Sequence, residues 1–181
     1  MAGLTAQARL DRLWSRGTAF LGCRYALMGG AMSWVSEHRL VSAISNAGGF
    51  GVIACGSLKP DALDAEIEAT VALTDKPFGV NLIVMHPDLD ALIEVCLGRK
   101  VGHVVLAGGL PPGAAIKRLQ AGGAKVMCFA PAPGIARRLI RNGADALIID
   151  GAEAGGHIGP VSTSVLAQEI LPVVREVPVF V

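Results

Sequence analysis

One histidine in this sequence is set apart from the other three. His157 lies in "IIDGAEAGGHIGPVSTS", residues 148–164, between Gly155-Gly156 and Gly159 and just after an apolar run. A free imidazole titrates near pH ~6.5, so around neutrality it can take a proton from a weak carbon acid. Glycines on both sides remove side chains between backbone and ligand and leave N–H groups free to donate. Asp150 and Glu153 lie close enough in sequence to orient the ring or bind a ligand. No third well-spaced ligand completes a carboxylate–histidine metal set there, so no metal is expected. Taken alone, the stretch is equally a glycine-rich turn with a bystander histidine. His38, His86 and His103 look ordinary, two at helix starts and one opening a strand.

Asn81 is the second candidate. It interrupts "FGVNLIV", a run otherwise apolar on both sides. A buried amide without partners costs about 1–3 kcal/mol, so Asn81 needs either a core partner or a ligand with amide-like edges. The residues themselves leave both open. A third signal is diffuse: "MGGAM", "ACGS", "AGGLPPG", "APAPG" and "DGAEAGGHIG" all place small residues where an apolar run ends. Any one pair serves a tight turn, but five on one rim would suit a broad flat ligand.

These residues need a scaffold, and the chain has a regular rhythm. Strands are expected at 25–32, 50–56, 78–84, 103–109, 125–132, 146–150 and 177–181. Between them, "PDALDAEIEATVAL" opens with Pro60 and early acids, and Leu63, Ile67, Thr70 and Val71 share a face. "PGIARRLIRNG" keeps Ile135, Ala136, Leu139 and Ile140 together and stops at Gly143. "SEHRLVSAISNAGG" starts at Ser36, an expected N-cap. Strand–helix–strand repetition with short loops implies parallel strands and an α/β architecture. Seven evenly spaced strands without a Gly-x-Gly-x-x-Gly after the first favour a TIM-type (β/α)8 barrel over a doubly wound sheet. The barrel is expected to be incomplete, about seven of eight strands, in one domain spanning 1–181. Residues 1–24 supply an N-terminal helix and the lead-in to the first strand. In such barrels the active site lies at the C-terminal strand ends, the rim that holds the small residues.

Composition agrees. Hydrophobic residues make up 52% and charged ones 17%, as expected of parallel strands buried on both faces. A net charge of +1 and no basic stripe argue against nucleic acid or anionic membrane as partners. Cys23, Cys55, Cys96 and Cys128 form no C-x-x-C pair, so a reduced, cytoplasmic setting is expected. The start, "MAGLTAQARLDRLWSRG", lacks the apolar core of a signal peptide.

The segments "GGAMSWVSEHRLVSAISNAGGFGVI", "TDKPFGVNLIV" and "GADALIIDGAEAGGHIGPVSTS" together resemble the nitronate monooxygenase (2-nitropropane dioxygenase-like) flavoenzymes. Their near relatives, the flavin-type enoyl-acyl-carrier-protein reductases, share the barrel and most of the motif. The resemblance implies FMN across the barrel mouth, with the backbone of Gly30, Ala31 and Met32 along the ring. It implies that Asn81 bonds the flavin, that Asp150 and Gly155 contact it, and that His157 is the base facing substrate. The implied reaction is oxidation of alkyl nitronates or nitroalkanes with dioxygen. The implied alternative is NAD(P)H-dependent reduction of an enoyl thioester; Asp150 and Ile158 are the reductase-like choices at their positions. A homodimer is left open. The family grips the FMN phosphate after strands seven and eight, beyond Val181, so this polypeptide is expected to be C-terminally truncated and to bind FMN poorly by itself.

Overall fold

Each expected strand and the helical patterns between them are realised in the computed structural model, which describes residues 5–156 and 159–181. Helix α1 (Ala6–Leu21) leads to β1 (Met28–Gly29), α2 (His38–Asn46), β2 (Phe50–Ala54), α3 (Pro60–Leu73) and β3 (Phe78–Ile83). Then follow α4 (Leu89–Gly98), β4 (His103–Ala107), α5 (Gly113–Ala121), β5 (Lys125–Phe129), α6 (Pro133–Arg141), β6 (Ala146–Ile148), α7 (Thr163–Ile170) and β7 (Val179–Phe180). The strands form one sheet in sequence order, β1 to β7, every pair parallel. This is the strand order of a TIM-type barrel, incomplete at seven strands. Among the described residues no helix is long and apolar enough to cross a membrane.

Strand alternation divides the core into two parts. Ile53, Val80, Leu82, Val104, Leu106 and Val126 face the helices and pack on Leu63, Ile67, Leu92, Ile93 and Ile116. Phe50, Val52, Val105, Met127 and Ala146 face the barrel axis with Phe20 and Leu21 of α1. Both faces are dry, which is why the chain is so apolar.

Two expectations change near β1. Only Met28 and Gly29 pair, with Phe50 and Gly51, rather than the whole of 25–32. The N-cap of α2 is Glu37, whose Oε1 accepts from Arg39 N at 3.1 Å and Leu40 N at 3.2 Å. Ser36 is instead buried, and its hydroxyl donates to Gly30 O at 2.8 Å and accepts from Met32 N at 3.0 Å. Those two bonds draw the backbone out of the sheet, so the strand stops. On α3, Leu63, Ile67 and Thr70 are buried as expected, while Val71 is exposed.

Helix α1 plugs the N-terminal end of the barrel. Its last-turn carbonyl, Phe20 O, has no partner within the helix and instead accepts from Lys125 Nζ at 2.6 Å and His103 Nε2 at 2.9 Å. The His103 ring stands edge-on to Phe20 and Phe50, centroids 5.4 and 5.0 Å away. Burial pushes the His103 pKa down and Lys125 adds to this, against the Phe20 hydrogen bond and Asp145. A depressed folded pKa means that the unfolded chain binds the proton more readily. Stability from this group is therefore complete above the unfolded pKa of about 6.5 and is lost as pH falls toward the folded value. Urea midpoints measured from pH 7.5 to 5 should fall with pH, and His103→Gln should flatten that slope.

Candidate active site

Parallel strands place all their C-terminal ends on one rim. On the barrel axis Val52, Val105 and Met127 are sealed, with at most 3% exposure. One layer higher, Ala54, Ile83, Ala107, Phe129 and Ile148 are only half-buried. The mouth therefore has an apolar floor open to a ligand. Gly30, Ala31 and Met32 line its edge, exposed, and a methyl group at Gly30 would meet no atom within 4 Å.

This edge is held in shape. The Ser36 hydroxyl bridges Gly30 O and Met32 N, and Ser36 O accepts from Ala54 N at 3.0 Å, tying the loop to the end of β2. Trp34 within it has φ 66, a left-handed conformation that costs a bulky residue energy. The sequence reading missed Ser36 as a site residue. Its only signal was a hydroxyl six residues after Gly30, and a capping role explained that equally well.

Asn81 is buried, at 7% exposure. It is in register with Ala54 and Val105, so its side chain shares their axial face. Its side-chain hydrogen bond runs from Nδ2 to Val105 O at 3.4 Å, at the long limit of such bonds. A primary amide has two N–H groups and an acceptor oxygen, so one long bond leaves capacity for a ligand.

Across the mouth, Asp150 follows β6, half-buried, and burial raises its carboxyl above the usual range. Gly155 has open space around it, and Gly156 adopts φ 89. Glu153 does not stand free as an orienting group: its Oε2 accepts from Thr163 N at 2.8 Å and Thr163 Oγ1 at 2.9 Å. Those bonds hold its pKa below the ordinary value. His157 lies outside the described residues. The structure thus brings Gly30, Ala31, Met32, Asn81, Asp150 and Gly155 to one end of one sheet, from β1, β3 and β6.

Other chemistry is limited. Burial pushes Cys55, Cys96 and Cys128 up to about 12, far from a reactive thiolate. Glu37, His38 and Glu66 form the one group among the described residues whose donor atoms could converge on a cation. Its evident work is joining α2 to α3, since Glu66 Oε2 accepts from His38 N at 2.9 Å and lies 3.0 Å from Nδ1. Glu37 and Glu66 also line a cavity of about 180 Å³ with Trp34 and Ala54, beside the rim. A wider hollow of about 520 Å³ lies between Asn46 and residues 71–75, at the opposite end of the sheet. It touches none of the candidate residues.

The residues present fit the ring of a flavin. The unobstructed backbone at Gly30, the half-covered apolar floor and the under-used Asn81 amide suit a flat heterocycle with polar edges.

Comparison with known proteins agrees. The family model described as nitronate monooxygenase matches residues 15–92 and 90–181. A 5-hydroxy-7a-methyl-1-oxo-octahydro-1H-indene-4-carboxyl-CoA dehydrogenase of Mycobacterium tuberculosis is 39% identical over 159 residues, 87% of this chain and 44% of its own length. A nitronate monooxygenase of Pseudomonas aeruginosa is 31% identical, over 80% of this chain and 52% of its own. The solved structure of FabK from Thermotoga maritima superposes with a TM-score of 0.87 at 40% identity, covering 91% of this chain and 52% of that one. The chain spans about half the length of the relatives it matches.

Proposed function

This chain belongs to the nitronate monooxygenase family, and on that premise we propose that its rim holds the reacting end of an FMN-dependent oxidoreductase acting on alkyl nitronates or nitroalkanes. The observation that carries this is Asn81, a buried amide with hydrogen-bonding capacity left over, on the axial face of an otherwise apolar mouth. When bound, FMN supplies the electron acceptor, which no side chain can. The chain's own residues do the rest. The Gly30–Met32 backbone, shaped by Ser36, would hold the ring. Asn81 would hydrogen-bond it, and Asp150 and Gly155 would contact it from the end of β6. The apolar floor of Ala54, Ile83 and Phe129 would help to exclude water there. His157 takes the α-proton of a nitroalkane, or orients a nitronate that arrives already ionised. Dioxygen is the second substrate.

A second reading puts an acyl thioester at the same mouth. Asp150 favours it, as the acidic choice at that position in the reductases, and the Mycobacterium tuberculosis relative is by name a CoA-ester dehydrogenase. Anaerobic spectra separate the two. Bleaching of the bound flavin by nitroethane or its nitronate, with no nicotinamide present, supports the first reading. Bleaching by NADPH alone, with reoxidation by an enoyl thioester, replaces it with the second.

A further inference from the structure

Where α2 meets α3, two carboxylates face one imidazole nitrogen. Glu37 uses Oε1 to cap α2, and its Oε2 stands 3.0 Å from His38 Nδ1. Glu66 reaches across from α3 and places Oε2 3.0 Å from the same Nδ1 and 2.9 Å from His38 N. That nitrogen carries at most one hydrogen, so it cannot fully serve both acids. Among the described residues no Lys or Arg pairs with either, whereas Asp64 and Glu68 share Arg99, and Asp90 and Glu94 share Arg118. The N-terminus of α2 offsets only about half a charge. All three side chains are half-buried, which makes the surplus costly. Glu37 and Glu66 also open on the cavity of about 180 Å³ walled by Trp34, Ile53, Ala54 and Leu58. Under-neutralised acids, a ring nitrogen and an adjoining cavity together suit a cation.

The donor set says which kind. One atom from each residue lies within 4.8 Å of the others. Ligands about 2.0–2.2 Å from a tetrahedral zinc stand about 3.3–3.6 Å apart, so the two 3.0 Å separations need widen only slightly. Imidazole with carboxylates suits zinc, whereas calcium and magnesium favour oxygen alone. The cavity has room for a water, which takes about 30 Å³, at a fourth position.

We propose that Glu37, His38 and Glu66 form a binding site for a zinc-type divalent cation, with a cavity water completing the coordination. With Nδ1 on the metal, the ring proton sits on Nε2. Glu37 directly follows Ser36, whose hydroxyl shapes Gly30 to Met32, so the ion also fastens the first rim loop to α3.

Calorimetric titration of the metal-stripped protein with Zn²⁺ should show one ion bound per chain, and the melting temperature should rise with zinc concentration. Glu37→Gln keeps an acceptor for the α2 cap and Glu66→Gln keeps one for His38 N, so both should melt close to wild type without zinc. Each should bind zinc at least ~10- to 100-fold more weakly, since even outer-shell partners of a metal ligand are worth that much. His38→Gln should lose as much. Asp64→Asn, an exposed acid on α3 outside the set, should bind zinc as wild type does, and equimolar magnesium should not compete. Zinc bound equally well by wild type and by the three ligand variants would place the ion elsewhere and overturn the proposal. So would an equal loss in Asp64→Asn, full competition by magnesium, or a melting temperature that ignores zinc.

Discussion

Turnover of a neutral nitroalkane by His157→Asn should fall by about 10²- to 10⁴-fold, the usual worth of a positioned general base. Asparagine keeps a polar group of similar reach but cannot accept a proton at neutral pH, so the substitution removes basicity more than it removes contact. The loss should appear in kcat and kcat/KM together, since the missing interaction belongs to the transition state. A nitronate prepared by prior ionisation should lose much less. Flavin content should stay the same, because in the proposed reading Asn81 and the Gly30–Met32 backbone, not the histidine, would hold the ring. Unchanged nitroalkane turnover would remove His157 from the chemistry and leave the loop glycines as the contribution of this segment.

The fold was legible because the central apolar runs are largely buried on two faces and five of the seven runs end at a glycine or another small residue. Strand starts such as Phe50, Phe78, His103, Lys125 and Ala146 fall where the runs begin. The first strand was overdrawn for a physical reason. "YALMGGAM" has the composition of a strand to Met32, but a hydroxyl at Ser36 competes for Gly30 O and Met32 N, and local pattern does not reveal a side chain that folds back on the chain. Asn81 was legible because polarity inside an apolar run demands an explanation. His103 and Glu153 were not. His103 opens a strand, where a histidine is unremarkable, and its role depends on Phe20 O, 83 residues away in sequence. Glu153 read as a free acid near His157, and its occupation by Thr163 depends on how far the loop doubles back. Contacts set by periodicity were readable; contacts set by chain reversal were not.

The close approach of α2 to β2 should make one glycine there costly to replace. A methyl group on Gly51 would lie 2.4 Å from Val41 O and 2.8 Å from Val41 Cα, both backbone atoms of the helix. No side chain can rotate aside to relieve that contact, so the helix itself must move. It is not free to do so: buried Ser45 donates to Pro77 O at 3.0 Å and accepts from Gly51 N at 3.3 Å. Gly51→Ala should therefore cost about 3 kcal/mol, at or beyond the upper end of ordinary overpacking. Elsewhere the same change helps, since glycine inside a regular element is about 0.5–1 kcal/mol worse than alanine. Gly98, at the end of α4 with no atom within 4 Å of an added methyl, should gain up to that amount. Urea midpoints of the two alanine variants should thus move in opposite directions. The loss at Gly51 should also reach the site, because α2 begins immediately after Ser36 and Glu37. Any shift of the helix pulls on the bond from Ala54 N to Ser36 O and on the hydroxyl that shapes Gly30 to Met32. Flavin affinity should fall in Gly51→Ala even at temperatures where the protein remains folded, and should be untouched in Gly98→Ala. A Gly51→Ala protein as stable as wild type would mean that α2 does not sit on β2 this closely, and the geometry of the first rim loop would have to be redrawn with it.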